Sequence, residues 1–211
     1  SSAASDVYKR QHVQLMKHKN FALFSGLFMI GKITVSENTR HGTASTNGVN
    51  VEYDRAFVDS LNDKQLAFLI LHENMHKAYR HLVVWEKLHK KNHMLANAAC
   101  DYVINLQIKD YDPHEDDTQF PTDQFGNQLG LIDEKYRGMD AAEIFRLLEQ
   151  EQDSGGNGGG GGGGGKTKVV GGFDEHDWDN AQEMDEAEKE SVAKEIESAL
   201  RQGSILVGKL G

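Results

Sequence analysis

One cysteine, a deficit of positive charge and no apolar run long enough to cross a bilayer set the outer limits for this chain of 211 residues. With Cys100 alone, an internal disulfide framework and every cysteine-rich zinc knuckle are excluded, and the lone thiol suits a reducing compartment. Any metal must therefore be held by histidine and carboxylate. Lys and Arg number 23 against 33 Asp and Glu, a formal net charge of -10 that repels phosphate backbones unless a basic face is segregated from the rest. The sequence shows no such face, which argues against nucleic acid. The apolar stretch Phe21 to Ile30 follows Lys17, His18 and Lys19 and so imitates a signal peptide. It is too short to span a membrane, and no small-x-small cleavage site precedes Gly31-Lys32. It reads as a core helix, and the chain as cytoplasmic with no membrane partner.

What is plentiful is glycine, concentrated between Ser154 and Gly165, where nothing can be buried to offset the ordering entropy. The expected organisation is a non-native leader at 1–11, a catalytic domain at 12–153, a Gly-rich flexible linker at 154–172, and an acidic segment with an amphipathic helix at 173–211 that reads as cut short. The leader, SSAASDVYKRQ, resembles translated adapter sequence. Within the domain, Asn47-Gly48 lies between two extended runs and supplies the positive φ of a two-residue hairpin turn. Asn62 with Gln65 three residues on, and Leu61 with Leu66, mark a capped helix start, predicting a helix from about Asp63 to about Leu88. Further helices are predicted from about Asn92 to Lys109, from Asp140 with Glu143 as its reciprocal cap, and from about Asp185 to Gln202. Few strands beside several helices make the fold class α+β, mainly helical with a small sheet or hairpin. The polar loop from Asp110 to Gly138 is long enough to be functional or disordered.

His72-Glu73-Asn74-Met75-His76 falls inside the first of these helices. Four residues advance an α-helix by about 400°, so both imidazoles leave one face one turn apart, the placement two zinc ligands need. Glu73 lies about 100° round from His72, where its carboxylate reaches a water without ligating the metal. The residue frequencies of the chain leave roughly 0.03 to 0.04 chance matches to this pattern, so composition alone does not account for it. A catalytic zinc takes three protein ligands and keeps one position open. His81 points about 180° away from His72 unless the helix ends early, and the extended metzincin pattern fails at Tyr79 and Leu82. Asp101 is the better third ligand. With Asn97 and Asn105 it forms a polar stripe at i, i+4 and i+8 on an otherwise apolar helix, about 25 residues beyond the motif. Such a stripe also suits a solvated face. As ligand, Asp101 would have Asn97 and Asn105 to orient its carboxylate. His114 and the acidic loop near Glu115 are the reserves.

LILHENMHKAYRHL followed by NHMLANAACDYVINLQI resembles the metallopeptidase domain that precedes a von Willebrand factor A-like domain in a family of bacterial and phage proteins. TASTNGVNVEY, GLIDEKYRGMDAAEIFRLL, the glycine tract and DEHDW follow in that family's order, so the resemblance covers most of the chain from about His12. It implies a zincin-like fold and peptidase chemistry, with Zn2+ as cofactor and a protein or peptide as substrate. Glu73 would take a proton from the attacking water and return it to the leaving amine, and a peptide would add to the edge strand of the hairpin. His176 is a candidate oxyanion donor, although its segment also reads as solvated acidic surface. Two other functions compete: a zinc hydrolase acting on a non-peptide amide, and a non-catalytic, metal-stabilised interaction module working with the von Willebrand-like domain or an ATPase partner.

Overall fold

The computed structural model describes residues 11–154, 176–178, 181 and 183–210. The fold is α+β and mainly helical. Its three strands, β1 (Ile33–Ser36), β2 (Ala44–Thr46) and β3 (Val51–Asp54), form one sheet in the order β1-β3-β2. β1 runs parallel to β3 with Val35 opposite Tyr53, while β2 is antiparallel to β3 with Thr46 opposite Val51. The connection between β2 and β3 has four residues rather than two. Asn47 Oδ1 accepts from the amides of Val49 (3.0 Å) and Asn50 (2.7 Å), and Gly48 takes φ 87°. The asparagine side chain thus builds a wider turn than a bare Asn-Gly hairpin.

Asp54 ends β3 and caps α1 (Arg55–Ser60), and Asn62 opens α2 (Asp63–Ala78). The reciprocal cap is present: Gln65 N donates to Asn62 Oδ1 (2.9 Å) and Asn62 N to Gln65 Oε1 (3.1 Å). Every residue of α2 from Gln65 to Lys77 is buried, so this helix is the axis of the molecule, covered on all sides. It stops ten residues before the expected Leu88. Arg80 adopts φ 52°, a left-handed conformation that breaks the helix. The chain then restarts as α3 (His81–Val84) and α4 (Glu86–Lys91). Asn92 accepts from Leu95 N (3.2 Å) to open α5 (His93–Tyr111), and Asp140 with Glu143 opens α6 (Ala141–Ser154).

The first part of the loop between α5 and α6 is held by one carboxylate. Asp112 accepts from the amides of Asp116 (3.0 Å), Asp117 (2.9 Å) and Thr118 (2.7 Å), and from Thr118 Oγ1 (2.9 Å). The apolar segment expected as a core helix is largely buried, Met29 excepted, but forms two single 3₁₀ turns, Ala22–Phe24 and Leu27–Met29. Close packing explains the interruption. A Cβ on Gly26 would lie 2.8 Å from Ala199 Cβ, and one on Gly203 would lie 2.0 Å from Leu23 O. Both contacts are made with α7 (Glu186–Leu210), whose Ile196 and Ala199 join the same core as Phe21, Leu27 and Leu69. The helix that follows the glycine tract thus contributes to this core; the tract itself lies outside the described residues. A second core, of Leu95, Ala99, Ile144, Phe145 and Leu148 with Trp178 and Ala181, lies on the other side of α5.

Candidate metal centre

The site lies where α2 meets α5. His72 faces Asn105 and His76 faces Asp101, so a step of four along α2 matches a step of four back along α5. The two helices are antiparallel, and the one-turn spacing of the histidines is matched by the one-turn spacing of the polar stripe.

His72 Nε2 and His76 Nε2 lie 3.1 Å apart, and Asp101 Oδ1 lies 3.7 Å and 3.4 Å from them respectively. His176 joins the group, with its Nε2 3.2 Å from Asp101 Oδ1. One donor atom from each of the four residues lies within 4.8 Å of the others, and all four residues are buried. Zinc bonds of about 2.0–2.1 Å give a tetrahedron whose edges are about 3.3–3.4 Å. Four of the six separations, 3.1 to 3.7 Å, straddle that edge, and all six lie within 4.8 Å. Three imidazoles and one carboxylate are also a zinc-type donor set, so the residues present fit a tetrahedral metal ion.

The surrounding groups fix which ring nitrogens face inward. Asn105 Nδ2 donates to Leu131 O (2.7 Å), which orients the amide so that its Oδ1 accepts from His72 Nδ1–H at 2.7 Å. His72 is thereby held in the tautomer whose Nε2 carries a lone pair. His81 does the same service behind His76, with the two Nδ1 atoms 3.3 Å apart. The early end of α2 is what brings His81 back: it stands behind His76, outside the donor group, 3 % exposed and stacked on Tyr79. Burial, followed by the neighbouring His176, His72 and His81, holds His76 well below its ordinary pKa. Burial and the nearby His176 and His72 push His81 down to about 3. Both rings are therefore neutral near pH 7, the state that ligation requires.

Glu73 is fully buried. One turn on, Lys77 is buried as well and donates from Nζ to Ile30 O at 2.8 Å. Burial draws the Lys77 ammonium down to about 8 while Glu73 and Glu195 oppose the shift. The i, i+4 spacing of Glu73 and Lys77 was readable in the sequence as a charge pair, but its burial was not.

The remaining sequence candidates separate cleanly. Asn105 holds His72 rather than Asp101, and Asn97 accepts from the indole of Trp178. His114 and Glu115 are exposed on the loop, away from the donors. His176 is not on a solvated acidic surface: Asp177 N donates to Thr46 O (2.9 Å) on β2, and Trp178 is 2 % exposed, stacked on His89. The polar stripe Asn97, Asp101 and Asn105 does not face solvent as such, since Asp101 and Asn105 are buried.

A family model described as "Putative metallopeptidase domain" matches residues 6–206 of this chain. No curated protein and no solved structure matches it. Among the described residues no helix is long and apolar enough to cross a membrane.

Proposed function

The chain belongs to this family of metallopeptidase domains, and from that premise we propose that it hydrolyses peptide bonds at one zinc ion held by His72, His76 and Asp101, with Glu73 as general base. The observation that carries the reading is the buried group of three imidazoles and one carboxylate, with donor atoms within 4.8 Å of one another and a buried glutamate next to His72 in the chain. When bound, zinc polarises the scissile carbonyl and lowers the pKa of water. Glu73 takes the proton from the attacking water and returns it to the leaving amine. His72 and His76 are kept neutral and oriented by Asn105 and His81, so their lone pairs stay directed at the ion. β2 is an edge strand of the sheet, and an extended peptide adds to such an edge through its main chain. We further place the protein in the cytoplasm, with a von Willebrand factor A-like domain and an ATPase as candidate partners.

A second reading is favoured by one feature. Four protein donors converge here, and a site closed by four protein ligands is the pattern of structural zinc. In that case the ion would tie α2 to α5 in a non-catalytic interaction module. A structural ion needs no carboxylate at the position of Glu73, and although Glu73 also faces buried Lys77, its place beside His72 is why catalysis is preferred. Metal content and peptide-library cleavage of wild type and Glu73→Gln separate the two. The variant should keep its zinc while turnover falls by about 10²–10⁴. Equal cleavage by both proteins would end the case for Glu73 as base.

A further inference from the structure

His72, His76 and Asp101 come from α2 and α5, which are fixed in the core. The fourth donor has a different origin. His176 reaches the group from beyond the glycine tract, 75 residues from Asp101 in sequence. We propose that His176-Asp177-Trp178 is a built-in plug, in which His176 occupies the coordination position that a peptidase leaves open for water, so that this conformation is latent. The proposal rests on the metal reading given above.

Three observations support it. The first is coordination number. With His176 included the donors number four, and with it withdrawn they are the two histidines and one carboxylate of a catalytic site with one position free. The second is access. His72 and His76 are 0 % exposed, Asp101 1 % and Glu73 0 %, so no peptide reaches them while the segment is seated. The third is the way the segment is held. Asp177 N donates to Thr46 O on edge strand β2, one main-chain bond of the kind that docks an added strand, and the chain then turns, with Trp178 N on His176 O (3.0 Å) and Ala181 N on Asp177 O (3.2 Å). On one side of Asp177 His176 is directed at the donor group; on the other Trp178 inserts its ring against His89, with its indole N–H on Asn97. An open polar cleft over the sheet, lined among others by Thr34, Ser45, Asn47 and Glu52, has Asp177 in its wall. A substrate strand entering along that cleft would meet the edge now taken by residues 176–178. The groove so vacated takes an extended peptide carrying an aromatic side chain, since the Trp178 site is an aromatic one.

Cobalt(II) in place of zinc reports coordination without relying on turnover. The full chain, its His176→Ala variant and the Asn97→Ala variant, which loosens the Trp178 anchor and leaves the donor intact, are each charged with one equivalent of cobalt and titrated with azide. The visible spectrum of the wild type should not respond. His176→Ala should take up azide with a spectral shift at unchanged metal stoichiometry, and should lose cobalt to a chelator at least about tenfold faster. Asn97→Ala should fall between the two. Both variants should cleave a peptide library at least about tenfold faster than the wild type, whose turnover reflects the fraction of time the segment is withdrawn. A wild type that binds azide as readily as His176→Ala overturns the fourth-ligand assignment, and variants that bind azide but cleave no faster than the wild type overturn the plug. Failure of the underlying reading looks different: His72→Ala would then bind cobalt as tightly as wild type. Should His176→Ala fail to fold, His176→Gln, which retains bulk and polarity, is read in the same assay.

Discussion

Replacing Asn105 separates the two tasks that this residue performs. Its Oδ1 accepts from His72 Nδ1–H within the core and its Nδ2 donates to O of the half-buried Leu131, both at 2.7 Å. In Asn105→Ala the His72 ring loses the bond that fixes its tautomer and direction. Removing such an outer partner of a ligand lowers metal affinity by about 10–100-fold, which is about 1.4–2.8 kcal/mol. Leu131 O loses its donor as well, so the metal-free protein should lose about 1–3 kcal/mol of stability. Asn105→Asp divides these effects. A carboxylate still accepts from His72 and raises the basicity of its Nε2, so affinity should be held or increased. It cannot donate to Leu131 O, and the metal-free protein should be destabilised much as the alanine variant is. Competition against a chromophoric chelator gives the affinities, and urea unfolding of the metal-free proteins gives the stabilities. An alanine variant that binds metal like wild type, or an aspartate variant as weak as the alanine one, would refute the role assigned to Asn105.

Two other perturbations test the frame around the site. Four hydrogen bonds hold Asp112 below its ordinary value of 3.8 against the opposing effect of burial. A carboxyl group with a depressed folded pKa adds stability above its unfolded pKa and loses it as pH falls through the folded one; Asp112→Asn should therefore lose about 2 kcal/mol at pH 7, and its urea midpoint should converge with that of wild type below about pH 4. In Gly203→Ala the new Cβ would lie 2.0 Å from Leu23 O, so the variant should lose about 1–3 kcal/mol through overpacking. If α7 were detached from the core, helix propensity alone would stabilise the same variant by about 1 kcal/mol, so the sign of the change decides.

The sequence determined what depends on local chemistry and fixed spacing. The caps at Asn62, Asn92 and Asp140, the one-turn spacing of His72 and His76, and the polar stripe through Asp101 are properties of consecutive residues, and helical periodicity turns them into directions in space. They were enough to single out three residues that the fold brings into one buried group, and the α+β class. Spacing could not say which way the stripe faced, because a solvated stripe and a buried one have the same period. Tertiary structure decided that, by setting α5 antiparallel to α2 so that Asn105 meets His72 and Asp101 meets His76. It also decided where α2 stops: the left-handed turn at Arg80 lies at a residue with no intrinsic preference for it, and only packing of the returning chain, with His81 behind His76, accounts for it. The same holds for the two 3₁₀ turns, where an apolar run suited to a helix gives way to close contact between Gly26, Leu23 and α7. Furthest from sequence is His176, which no spacing rule connects to a motif about a hundred residues earlier. Its place beside Asp101 depends on one main-chain bond to β2 and one buried indole, and long-range contacts of that kind exist only once the chain has folded.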